Sequence, residues 1–264
     1  MSRTPVFRVL KTGVALAAFL ALATCGGKAS GQIQDPTPGY EIVAEFDHDT
    51  EAFTQGLTFW KGRFFESTGQ EGESSMREVD LETGEVIRQV DLADRHFGEG
   101  MTIKGRRAYM LTWRSEVAFV YRPSPFRRVG RFRYDGEGWG LTHNKRFLIM
   151  SDGTSAIDFR DPDTFKVKKS ITVTREGEEL EHLNELEWIG GSIYANVWTT
   201  DDVVIIDPAT GEVTDSFNLS FLREKEEATG DPDVTNGIAY LRSEDRLFVT
   251  GKLWAHVYEI ELTD

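Results

Sequence analysis

One short pattern returns five times along the chain, as Gln55-Gly56-Leu57-Thr58-Phe59, Glu99-Gly100-Met101-Thr102-Ile103, Trp139-Gly140-Leu141-Thr142-His143, Asn184-Glu185-Leu186-Glu187-Trp188 and Asn236-Gly237-Ile238-Ala239-Tyr240. Its second positions lie 44, 40, 45 and 52 residues apart. Self-similarity at this period marks four-stranded propeller blades, each of which buries its faces only against its neighbours. The residue that varies is the first of each segment, and it is polar or amphipathic in all five. A blade's inner strand runs along the central channel, so these leading residues converge at one rim and form a candidate working surface.

Each repeat reads as alternating strands punctuated by turns. In the first, Gly56 to Trp60 is the inner strand, followed by strands over Arg63 to Ser67, Ser75 to Leu81 and Glu85 to Asp91. Asp80-Leu81-Glu82-Thr83-Gly84-Glu85 and Asp207-Pro208-Ala209-Thr210-Gly211-Glu212 put Asp first and Gly near the end, as tight hairpins require. The fifth repeat stops after one more strand, Val257 to Leu262, and would leave an open sheet edge, which is a hazard for aggregation. The lone alternating strand Tyr40 to Phe46 has no blade of its own and supplies the missing edge. The chain is therefore expected to be all-β, a five-bladed propeller over residues 40–264 closed by its N-terminal strand.

Ahead of that domain, Arg3, Arg8 and Lys11 precede an apolar stretch from Gly13 to Leu22 and then Ala23-Thr24-Cys25-Gly26-Gly27. This is the layout of a secretory signal, with too few apolar residues for a spanning helix, which needs about 20. Residues 1–25 are thus expected to form the signal segment. The position of Cys25, the sole cysteine, resembles a lipoprotein signal in which it becomes the lipidated first residue. Thr24 departs from that pattern, and cleavage after Ala23 is the alternative. Either route places the domain outside the cytoplasm, in the periplasm or anchored to a membrane. Residues 26–39, rich in Gly, Gln and Pro, read as a flexible tether.

The formal net charge of -14 argues against nucleic acid, because no basic stripe offsets the repulsion of phosphates. The five histidines show no paired spacing of the zinc kind, so no metal and no cofactor are expected. A second ring of residues comes from the loops after each second strand: Ser67-Thr68-Gly69, Thr112-Trp113-Arg114, Ser151-Asp152-Gly153, Asn196-Val197-Trp198 and Thr250-Gly251-Lys252-Leu253-Trp254. With the leading residues they make a funnel of carboxylate, lysine, amide and indole groups, the composition of a small-molecule pocket.

Taken together, Phe53-Thr54-Gln55-Gly56-Leu57, Phe97-Gly98-Glu99-Gly100-Met101-Thr102, Trp139-Gly140-Leu141, Ser151-Asp152-Gly153-Thr154, Leu183-Asn184-Glu185-Leu186-Glu187, Ala195-Asn196-Val197-Trp198, Asn236-Gly237-Ile238-Ala239-Tyr240 and Thr250-Gly251-Lys252-Leu253-Trp254 resemble the plant- and bacterial-type glutaminyl-peptide cyclotransferases. The resemblance runs from about Tyr40 to Leu262. It implies a five-bladed propeller that converts N-terminal glutamine of peptides and proteins to pyroglutamate with release of ammonia; the protein is expected to be a monomer. It further implies Glu99 as the acid/base residue and Phe53, Gln55, Phe97, Trp113, Trp139, Asn184, Trp198 and Lys252 as the pocket; on the chemistry of the reaction, Lys252 or an amide side chain is expected to face the developing oxyanion. The ring argument adds Asn236 and Trp254. Two other functions fit a propeller: a carbohydrate-binding or glycoside-cleaving enzyme, which would need a second carboxylate such as Asp152, and a non-catalytic envelope scaffold.

Overall fold

A computed structural model describes residues 39–263. The signal segment, Cys25 and tether residues 26–38 lie outside the described residues. The N-terminal strand is β1 (Tyr40–Asp47). Blade one comprises β2 (Thr54–Trp60), β3 (Arg63–Thr68), β4 (Ser75–Val79) and β5 (Val86–Asp91). Blade two comprises β6 (Gly98–Lys104), β7 (Arg107–Thr112), β8 (Val117–Arg122) and β9 (Arg127–Arg133). Blade three comprises β10 (Leu141–His143), β11 (Leu148–Ser151), β12 (Ala156–Arg160) and β13 (Val167–Thr172). A two-stranded excursion, β14 (Thr174–Arg175) and β15 (Glu178–Glu179), precedes blade four. That blade holds β16 (Leu183–Ile189), β17 (Ser192–Val197), β18 (Asp202–Ile206) and β19 (Val213–Asn218), and is followed by the helix α1 (Ser220–Glu226). Blade five contains β20 (Thr235–Leu241), β21 (Arg246–Gly251) and β22 (His256–Leu262), and its fourth strand is β1.

Closure occurs by antiparallel pairing from Tyr40 opposite Leu262 to Asp47 opposite His256. The expected five blades and N-terminal closure are therefore present. Two acidic stretches have defined shapes: Arg175 to Glu181 contributes a short hairpin, and the Arg223 to Glu227 run lies largely on α1. The helix buries Leu222 and Glu226. The Glu226 carboxylate accepts hydrogen bonds from the Ala255 amide, from His256 Nδ1 and from the Tyr258 hydroxyl, which bind α1 to the last blade.

The core is divided into five wedges, one between each pair of adjacent blades. Leu57, Phe64 and Leu81 of blade one, for example, meet Ala239, Phe248 and Val257 of blade five. Blades two and three meet through Tyr109, Val120, Leu141 and Met150. Such wedges pack only if inner strands approach closely at the axis, and this explains the glycines of the repeat. A Cβ on Gly140 would stand 1.9 Å from the Asn184 carbonyl oxygen of the next blade, and one on Gly100 would stand 2.4 Å from the Trp139 carbonyl oxygen. No side chain fits there. Gly237 has the additional demand of φ +131°, a conformation open to glycine alone.

The fourth repeat has Glu185 in place of that glycine. Its carboxylate is fully buried, and it accepts from the Leu57 amide of blade one at 3.2 Å and from the Ile238 amide of blade five at 2.9 Å. Burial, reinforced by the charge of Glu187, raises its pKa well above the carboxylate range, against the pull of these two amides. The side chain thus spans the channel and ties three blades at the axis.

Candidate active site

The leading residues sit where inner strands begin, and the second ring sits where second strands end; antiparallel pairing brings both to the same mouth. Phe53, Gln55, Phe97, Glu99, Trp113, Trp139, Asn184, Trp198 and Lys252 line one cavity of about 610 Å³, together with Thr199, Asp233 and Val234. Its walls are two aromatic rows. In the first, Phe53 meets Phe97 edge-on at 6.2 Å and Phe97 meets Trp113 at 5.6 Å. In the second, Trp139 and Trp198 cross at 5.5 Å, and Trp198 forms the outer lip at 39% exposure. Glycines of the rim loops admit these rings: a Cβ on Gly69 would strike Phe97, and one on Gly153 would strike Trp139.

Glu99 lies at the floor, 5% exposed. Gln55 Nε2 donates to its Oε1 at 3.4 Å, and Asn236 Nδ2 donates to Gln55 Oε1 at 3.4 Å and to the Thr54 carbonyl at 2.9 Å. Asn236 is thus fully buried beneath Gln55 and reaches the cavity only through it. Burial pushes the Glu99 carboxyl well above its ordinary range; Lys252 opposes that shift and Glu137 adds to it. Lys252 is itself lowered by burial, against the attraction of Glu99 and Asp233. Its Nζ stands 4.7 Å from the centre of the Phe53 ring. Asn184 also lines the cavity, with its Oδ1 buried and without a partner among the described residues.

Trp254 is placed elsewhere. It has no exposed surface, donates from Nε1 to the Asp233 carbonyl at 3.0 Å, and packs in the wedge between blades four and five. The reason is local: Leu253 has φ +61°, so the backbone reverses between Lys252, which faces the cavity, and Trp254, which faces the core. Asp152, the second carboxylate of a glycosidase reading, accepts from the Thr154 amide and hydroxyl in a turn and is absent from the cavity wall.

One residue escaped the sequence reading. Glu137 Oε2 accepts from the indole N–H of Trp113 at 2.7 Å and from that of Trp139 at 3.0 Å, so a single oxygen joins the two aromatic rows. Burial would raise this carboxyl, yet the two indole donors and Arg114 hold it below the usual range. The signal was available. Glu137-Gly138-Trp139-Gly140 parallels Phe97-Gly98-Glu99-Gly100, and residues two apart on a strand share a face. The residue two before each leading position is therefore a site candidate, and Phe53, Phe97 and Val234 on the wall all obey that rule. Glu137→Ala is expected to lower kcat/KM about tenfold, roughly 1.4 kcal/mol of transition-state stabilisation. The melting temperature should hold, since this side chain is 34% exposed. Dipeptide kinetics check this, and Glu137→Gln, which keeps an acceptor oxygen, should recover most of the loss.

A profile of the family described as Glutamine cyclotransferase matches residues 15–262. A glutaminyl-peptide cyclotransferase of Arabidopsis thaliana is 42% identical over 226 residues, covering 84% of this chain and 71% of that protein. The crystal structure of Myxococcus xanthus glutaminyl cyclase superposes with a TM-score of 0.81 at 38% identity, covering 85% of this chain and 97% of the other. This chain belongs to the glutamine cyclotransferase family.

Proposed function

We propose that this protein cyclises N-terminal glutamine of peptides and proteins to pyroglutamate with release of ammonia, and that Glu99 carries both proton transfers. The observation that supports this most strongly is a single buried carboxyl of raised pKa at the floor of an aromatic cavity, with Lys252 and Asn184 on the same wall. The reaction needs the substrate's α-amine nitrogen to bond to its own γ-amide carbon. Glu99 takes a proton from the attacking amine, and the carbonyl oxygen becomes an oxyanion facing Lys252. The carbon–nitrogen bond to the former amide then breaks, and Glu99 returns the proton to the leaving nitrogen, which departs as ammonia. A carboxyl held above its ordinary range suits both halves of this exchange near neutral pH.

The remaining residues fix geometry. Ring closure is intramolecular, so its acceleration comes from holding the glutamine side chain folded, for which two facing aromatic rows are suited. Aimed positive charge at the oxyanion is worth about 3–4 kcal/mol in a dry site. Asn184 on the cavity wall supplies a polar side chain suited to the substrate's amide. The polar chain Asn236 to Gln55 to Glu99 positions the carboxyl.

Incubation with a Gln-led dipeptide tests the reading. One ammonia per peptide is expected, with the product lighter by the mass of ammonia. An Asn-led dipeptide, whose closure would give a strained four-membered ring, should release none. Absence of ammonia from the Gln-led substrate would overturn the assignment. Export and lipidation at Cys25 extend this proposal, and they rest on the residues of the N-terminal segment alone.

A further inference from the structure

The channel has a second mouth. The inner strands run the same way along the axis, so their far ends ring an opening roughly 20 Å from Glu99, given about 3.3 Å per strand residue. A funnel of about 800 Å³ opens there, lined by the turns that link each inner strand to its neighbour. Four of those turns bring cations: Lys61 in blade one, Lys104 in blade two, Lys145 and Arg146 in blade three, and Arg242 in blade five. The fourth blade turns at Gly190-Gly191, which adds no side chain and leaves that flank open.

Among the described residues, none of these five cations forms an ion pair. Elsewhere Arg77, Arg88, Arg160, Arg223 and Arg246 each hold a carboxylate. The head groups at the funnel are placed without being neutralised. Lys104 donates to the carbonyls of Asn144 and Lys145, Lys61 stands 4.5 Å over Trp60, and the Arg146 guanidinium 4.9 Å over Phe147. The one carboxyl on the wall, Glu187, is pushed up to about 8 by burial and so is largely protonated at neutral pH. Burial and the neighbouring Lys104 and Arg242 push His143 down to about 4, which leaves it neutral. In a chain of net charge -14, uncompensated positive charge gathered at one funnel repels itself and focuses attraction on anions.

We propose that this mouth is a binding site for a multiply charged oxyanion of the phosphate class, held by Lys61, Lys104, Lys145, Arg146 and Arg242. Lysines act as point charges toward phosphate oxygens, and several arriving from different turns suit a tetrahedral, many-lobed acceptor. The funnel is wide enough for a diphosphate or a phosphate-bearing lipid headgroup. The site is separate from the reaction centre, so it stands or falls independently of the cyclase reading.

Calorimetric titration of inorganic pyrophosphate into the full chain should give a saturable one-to-one isotherm that weakens with added salt. Lys145→Glu combined with Arg242→Glu should lower the affinity about tenfold or more and leave ammonia release unchanged, since both residues lie on exposed turns. Lys145→Arg with Arg242→Lys should retain binding, and Lys145→Gln with Arg242→Gln replaces the Glu pair should that pair fail to fold. A second arm uses sedimentation with phosphatidylglycerol vesicles against phosphatidylcholine vesicles. It is read as the difference between parent and variant, because Arg3, Arg8 and Lys11 attract anionic vesicles themselves. Charge-dependent pelleting that pyrophosphate competes away assigns the site to a headgroup; saturable pyrophosphate binding without it assigns a soluble anion. No saturable binding in either arm, or equal binding by parent and variant, overturns the proposal.

Discussion

Glu99→Gln lowers kcat by about 10²–10⁴-fold, the usual worth of a positioned acid/base group, and leaves the melting temperature unchanged or higher. Glutamine is isosteric and still meets the Gln55 amide, but it neither takes the amine proton nor returns it to ammonia. The fold has no need of the charge, since burial disfavours the ionised form of Glu99. The sign of the pH dependence follows. Below its raised pKa the carboxyl is protonated and cannot act as base, so wild-type kcat falls as pH drops through that value, above the range of an ordinary glutamate. Ammonia release followed across pH, alongside a thermal melt, checks both statements. Turnover retained by the variant would remove Glu99 from the mechanism.

Glu185→Ala is expected to cost about 2–6 kcal/mol, since it strands two buried amide donors at about 1–3 kcal/mol each and opens a void on the axis. For a domain of this size that is a fall of roughly 4–24 °C in melting temperature. The donors belong to Leu57 and Ile238, in blades one and five, so the loss loosens the junction where the ring closes. Differential scanning calorimetry measures it. A variant that melts with the parent would show that the axial carboxyl is dispensable. Glu185→Gln should fall between the two, because it keeps one acceptor and turns a donor toward the other amide.

The fold was legible because one motif recurs at blade spacing and because the two incomplete ends fit together. The strands of blade one, read from Arg63 to Ser67 and Glu85 to Asp91, differ from β3 and β5 by a residue at one end. The site was legible to the depth of one layer. Leading residues and rim loops are set by strand pairing, and pairing can be read from pattern. Trp254 was not legible, because nothing in Lys252-Leu253-Trp254 announces a left-handed leucine that turns the indole inward. Asn236 follows the strand rule and stops one layer short, since Gln55 covers it. Glu137 needed the same rule extended two residues upstream. Glu185 stands where the other repeats have glycine, and only the closed ring reveals that its side chain lies on the axis, between the Leu57 and Ile238 amides.

The β1 to β22 pairing has a consequence for how the molecule is made. Tyr40 faces Leu262, so this ladder joins segments made more than 200 residues apart in the chain. Contacts this distant in sequence impose slow search and late commitment. Until β22 has been made, β1 lacks its partner and the circle cannot close.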